Sequence, residues 1–116
     1  YFSIKINTMK KSDITFSVEL DETKMPINIE WQASDAGEEA NNCKAMMLSM
    51  WDRKEENTMR IDLWTKDMKV DEMKLFFHQT FVSMINTLER ATGADNTILE
   101  MREYSKHLAE QMKLIK

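Results

Sequence analysis

The sequence predicts an α+β fold: a four-stranded antiparallel sheet built from two consecutive hairpins, followed by two C-terminal helices packed on one face of it in a two-layer arrangement. A change of rhythm carries that expectation. Before about Asp67 apolar residues alternate with polar ones; after Asp71 they recur every three or four residues. The stretch "RIDLWTKDMKVDEMKLFF", residues 60–77, contains the change, and no proline or glycine interrupts it.

Ile14, Phe16, Val18 and Leu20 alternate with Asp13, Thr15, Ser17 and Glu19, which predicts a half-buried strand. "DETKMP" supplies turn chemistry, and Ile27, Ile29 and Trp31 resume the alternation on a second strand. The expected register sets Leu20 against Ile27, Val18 against Ile29 and Phe16 against Trp31. Residues 32–42, "QASDAGEEANN", are polar, include Gly37 and read as a loop. A second hairpin follows, "CKAMMLSMW" and "MRIDLW" joined through "DRKEENT". A turn at Lys54 to Asn57 pairs Met50 with Ile61 and Leu48 with Leu63 on one face. On the other it pairs Met47 with Trp64 and Trp51 with Arg60.

From Asp71 to about Thr92 the stripe Met73, Phe77, Phe81, Met84 and Leu88, widened by Leu75, Val82 and Ile85, predicts an amphipathic helix. Asp71 and Glu72 favour its start and Gly93 a left-handed end. Asp95, Asn96 or Thr97 can cap a last helix carrying Ile98, Met101, Tyr104 or Ser105, Leu108, Met112 and Ile115. Its other face, with Glu100, Arg102, Glu103, Lys106 and Glu110, allows ion pairs one turn apart. No internal repeat or low-complexity tract is present in the sequence.

A chain of 116 residues fits one domain. Residues 1–8 look like a vector-derived remnant, with Met9 as the natural start, so the expected domain is 9–116, with no secretory signal ahead of it. A net charge of −4 with interspersed bases offers no stripe for phosphates and argues against nucleic acid. Apolar runs of about three residues exclude a spanning helix. The lone Cys43 cannot form an intrachain disulfide, which fits a reducing compartment; the expected location is the cytoplasm.

Chemistry is hard to write from these residues. Asp62, Asp67, Asp71 and Glu72 could in principle serve a hard cation, but their spacing is that of no calcium loop, and a strand end leading into a capped helix explains them. Cys43 with His78 or His107 lacks both a third partner and a glycine turn for an oxyanion hole. With Gly37 and Gly93 the only glycines, no phosphate-cradling loop exists and no cofactor is expected. Most of the eleven methionines fall on core stripes. Met47, Trp51 and Trp64 do not: they share the face opposite Leu48, Met50, Ile61 and Leu63, and large apolar groups there call for a covering element or a protein partner.

"SDITFSVELDE", "KAMMLSMWD", "RIDLWTKDMKVDEMKLFFHQTF" and "RATG" together resemble the gliding motility-associated protein GldC family of Bacteroidota, from Met9 to the C-terminus. In relatives proline often stands where this chain has Lys69. The resemblance implies small soluble proteins with a part in surface gliding, no established enzymatic activity, and no catalytic or cofactor residues to carry over. The expectation is therefore a non-enzymatic protein that works through contacts, with Met47, Trp51 and Trp64 offered to a protein partner or to a second copy in a homo-oligomer. The alternatives are a chaperone-like or scaffold oligomer, by analogy with the strands-then-helices layout of the export chaperone SecB, and a small metal-dependent enzyme using Asp62, Asp67 and Asp71.

Overall fold

The computed structural model describes residues 10–35 and 39–114. The expected remnant 1–8, Met9, Gly37 and Ile115 lie outside the described residues. The chain forms two compact units, one up to Met68 and one from Lys69 onward.

In the first unit β1 (Ile14–Leu20) and β2 (Pro26–Ala33) form an antiparallel hairpin with Phe16 opposite Trp31 and Val18 opposite Ile29, as the alternation predicts. Leu20 meets Pro26 instead of Ile27, because the ladder shifts between Glu19 and Leu20. The turn explains the shift. The Asp21 carboxylate accepts the amides of Thr23 at 2.8 Å and Met25 at 3.0 Å, and Lys24 takes a φ of +68° to close it.

The expected single four-stranded sheet is replaced by two smaller ones, a three-stranded sheet in the order β1-β2-β3 and a two-stranded sheet of β4 and β5. β3 (Asn41–Cys43) pairs with β2, β4 (Ala45–Asp52) pairs with β5 (Asn57–Trp64), and only Lys44 separates β3 from β4. There the chain bends. The Lys44 carbonyl accepts the amide of Thr65 at 2.8 Å, so the backbone exchanges β2 for β5 as its partner at that residue. Asn41 and Asn42, expected in a loop, are strand because their backbone pairs with Trp31 and Glu30; no side-chain alternation announces it.

The β4–β5 register is Leu48 with Ile61, Met46 with Leu63, Met50 with Met59, Met47 with Asp62, Trp51 with Thr58 and Ala45 with Trp64. This lies two residues from the expected pairing. Asp52 pairs with Asn57, its carboxylate accepts the Glu55 amide at 2.6 Å, and Glu56 adopts a φ of +53°, so the turn sits nearer β4 than "DRKEENT" suggests. An even slip keeps each side chain on its expected face.

β1 departs from expectation in burial: every residue in it is exposed, Ile14 at 62% among them. It is an edge strand, and among the described residues no strand borders its outer side. Ile29 on β2 is fully buried and Pro26 is buried too.

The second unit is a helical hairpin of α1 (Val70–Thr92) and α2 (Asn96–Gln111). Lys69 precedes α1 with extended backbone, and the Glu72 carboxylate reaches back to its amide at 2.9 Å. Gly93 ends α1 at φ 95°, ψ 164°, a positive-φ conformation but not the left-handed helical one expected. Asp95 is the cap of α2, its carboxylate accepting the Ile98 amide at 3.1 Å.

The buried seam differs from the stripe read in the sequence. Ile85 is the fully buried residue of α1, while Phe77, Met84 and Leu88 are exposed; on α2 the buried residues are Ile98, Ser105 and Ala109, and Tyr104 is exposed. The contacts between the helices show why: a His78 ring nitrogen lies 2.8 Å from the Ser105 carbonyl, and the Arg102 guanidinium donates to Glu89 at 2.6 Å and Asn86 at 3.0 Å. These pairs turn the His78–Ile85–Glu89 side of α1 toward α2. Arg102, expected to pair along its own helix, instead bridges the hairpin.

Candidate functional site

The β4–β5 hairpin presents two faces of different chemistry. On one, Met47, Ser49 and Trp51 of β4 stand beside Thr58, Arg60, Asp62 and Trp64 of β5. Trp51 is 68% exposed, Trp64 49%, and Met47 half-buried. Trp64 faces Ala45, six positions along β4 from Trp51, so the two indoles lie near opposite ends of the ladder, about 20 Å apart at ~3.3 Å per residue. Met47 is a diagonal neighbour of Trp64; Trp51 faces Thr58 near the turn, with Arg60 diagonal to it. The register that the sequence suggested would have set the three closer together.

Between the tryptophans runs a polar bridge. Arg60 and Asp62 form an ion pair at 2.7 Å, and Arg60 also donates to the Ser49 hydroxyl. Asp62 raises the Arg60 pKa still further, mainly by accepting its hydrogen bond. The guanidinium is thereby fixed by bonds to two neighbours on the face, between two exposed aromatic ends. Such a surface combines aromatic anchors with a fixed charge pair, the composition found at protein contacts.

The second face carries an apolar ladder, Met46–Leu63, Leu48–Ile61 and Met50–Met59, closed at the turn by Asp52–Asn57; its apolar residues read from the sequence as core. Met50, Met59 and Ile61 are nonetheless exposed. Alternation reveals which residues share a face; it cannot reveal whether the face is covered.

Where β2, β3 and the end of β5 meet, Ile27, Asn28, Asn42, Cys43, Lys44, Thr65 and Asp67 line an open notch of about 260 Å³. Thr65, 3% exposed, donates its hydroxyl to Asp67 at 2.5 Å, and that bond is the main reason the Asp67 carboxyl lies below its ordinary pKa. Desolvation pushes the Cys43 thiol up, against a smaller opposing effect of the Ala45 amide, so at neutral pH it is a protonated thiol and a poor nucleophile. The notch falls below the ~300–1,000 Å³ of ordinary ligand sites and holds no activated group.

Four of the residues weighed for chemistry are engaged locally, while Asp71 lies in the first turn of α1. Asp62 pairs with Arg60, Asp67 with Thr65, His78 with the Ser105 carbonyl, and His107 packs its ring 5.7 Å from that of Tyr104. Among the described residues no three His, Cys, Asp or Glu side chains stand close enough to share a metal ion. No helix among them is long and apolar enough to cross a membrane.

Compared with known proteins, residues 26–114 match a family model described as gliding motility-associated protein GldC-like. No curated protein and no solved structure matches the chain.

Proposed function

From the premise that this chain belongs to the GldC-like family of gliding motility-associated proteins, we propose that it is a non-enzymatic accessory factor acting through protein–protein contact. The contact surface in this reading is the β4–β5 face bearing Met47, Trp51 and Trp64. The observation that carries it is the exposure of both tryptophans, 68% and 49%, on either side of the fixed Arg60–Asp62 pair. Indole rings left in water at a strand surface gain most when a partner desolvates them, and tryptophan and arginine are the residues on which binding energy concentrates. Cytoplasmic residence is part of the proposal, supported by the solitary Cys43.

The test replaces Trp51 and Trp64 with serine together. The tagged native chain should retain a defined partner from its own cells, or self-associate, and the double variant should lose that retention by at least tenfold with an unchanged circular dichroism spectrum. Equal retention by both proteins would remove this surface from consideration. A chaperone-like or scaffold oligomer is the second reading, favoured by the open apolar ladder of Met50, Met59 and Ile61. Suppression of aggregation of an unfolded client, lost on replacing Met59 and Ile61 with serine, would select it.

A further inference from the structure

β1 carries a second feature that the Trp51–Trp64 surface does not explain. Asp13 turns both its amide and its carbonyl toward β2: the carbonyl accepts the Ser34 amide at 3.0 Å, and its own amide donates to the Ser34 hydroxyl at 3.1 Å. In an antiparallel ladder such bonded positions alternate. The backbone groups of Thr15 and Ser17 therefore point inward to β2, and those of Ile14, Phe16 and Val18 point outward. Natural edges are guarded by proline, by inward-pointing charges or by bulges. The outward row of β1 has none of these until the ladder shifts between Glu19 and Leu20. Its side chains Ile14, Phe16, Val18 and Leu20 are all exposed.

We infer that the outer edge of β1 pairs antiparallel with β1 of a second copy of this chain, about a two-fold axis at Thr15, joining the two three-stranded sheets into one. Charge selects both the occupant and the register. Outward residues must bond outward residues, so the axis passes through a residue position, and the choices near the strand's centre are few. An axis at Phe16 sets Asp13 against Glu19 of the other copy at both ends, and the nearest attractive pairing, Lys11 with Asp21, falls on a carboxylate beyond the ladder shift that Lys66 already holds. An axis at Ser17 sets Thr15 against Glu19 and brings Asp13 opposite Asp21 of the other copy, carboxylate against carboxylate. An axis at Thr15, with residues 11–13 ahead of β1 drawn into the ladder on pairing, sets Lys11 against Glu19 twice, Asp13 against Ser17 twice and Thr15 against itself, with no like charges opposed. On the apolar side the same register places Ile14 against Phe16, beside the half-buried Trp31 of β2. β1 precedes the segment matched by the family model, so the inference concerns this chain's own residues.

Five variants of the full chain test it, independently of the tryptophan surface. Native mass spectrometry and sedimentation across a concentration series should show a dimer. Phe16→Pro removes an outward amide while leaving the inward ladder to β2 intact, so it should give a folded monomer. Lys11→Glu should weaken the dimer about tenfold by turning both attractive pairs into repulsive ones, and Lys11→Glu with Glu19→Lys should restore it. In a Cys43→Ser background, Thr15→Cys places two thiols at an unbonded pair with Cα atoms about 4.5 Å apart, inside disulfide range, so mild oxidation should link the chains. Ser17→Cys should not link. A monomer at all concentrations, a dimer indifferent to Phe16→Pro, or linking through Ser17→Cys in place of Thr15→Cys would each overturn the inference.

Discussion

At the scale of single residues, short polar contacts fix the places where the backbone changes direction. Asp21 shows this most clearly. Besides closing the β1–β2 turn, its carboxylate accepts a hydrogen bond from Lys66 at 2.7 Å, tying that turn to the segment following β5. The bond from Lys66, then those from Met25 and Thr23, hold its pKa well below the ordinary 3.8. A depressed carboxylate stabilises the fold above its ordinary value and loses that contribution as the pH falls through the folded-state value. Asp21→Asn should therefore lower the melting temperature at neutral pH, and the gap to the native chain should close as the pH drops below 3.8. A gap that stayed constant in acid would assign the loss to turn geometry alone.

At the scale of elements, caps and turns decide where each strand and helix stops. Gly93 sits at φ 95°, ψ 164°, and a Cβ built there would meet nothing within 4 Å. Substitution by alanine is thus a question of backbone conformation alone. Gly93→Ala should cost about 1–3 kcal/mol in urea unfolding, with the helix content of the folded state preserved. α2 ends differently: Lys113 takes a φ of +60° after the cap, where helices usually place glycine, and the Leu114 amide closes back on the Ala109 carbonyl at 2.8 Å.

Legibility in the sequence followed the physics of each element. Val18–Ile29 and Phe16–Trp31 could be read because alternation and a short turn determine them together. The β4–β5 pairing slipped by two because the polar turn "DRKEENT" has no residue that marks its centre, and Asp52 settled it through a bond to Glu55. Asn41 and Asn42 were illegible as strand because two polar residues are held there only by backbone pairing, although Cys43 after them reads as strand. The rotation of the α1 seam toward Ile85 depended on what α2 brings, Arg102 and Ser105, which no stripe on α1 can foretell. For the candidate surface, the shared face of Met47, Trp51 and Trp64 was legible, since parity survives an even slip. Their spacing, and the Arg60–Asp62–Ser49 bridge between them, required the true register.

At the scale of the whole molecule, the apolar residues buried among those described are few: Ile29, Ile85, Ile98 and Ala109, with Pro26 beside them. Against them stand exposed apolar groups on β1, on both faces of the β4–β5 hairpin and on α1. Under the proposed pairing of β1, association would add to the stability of this chain, and binding that favours the native state makes a melting point depend on concentration. Thermal unfolding should shift upward by several degrees over a hundredfold rise in protein concentration for the native chain, and the Phe16→Pro variant should show no such shift. A concentration-independent midpoint for both would mean that the open surfaces contribute nothing to folding in solution.

The outward row of β1 also bears on synthesis. The β1–β2 hairpin is built from neighbours in the chain, and hairpins of that kind close within microseconds, long before a ribosome has added the residues of α2. Polypeptides growing side by side on one message would hold out matching edges at the same moment, and assembly could begin while translation is still under way.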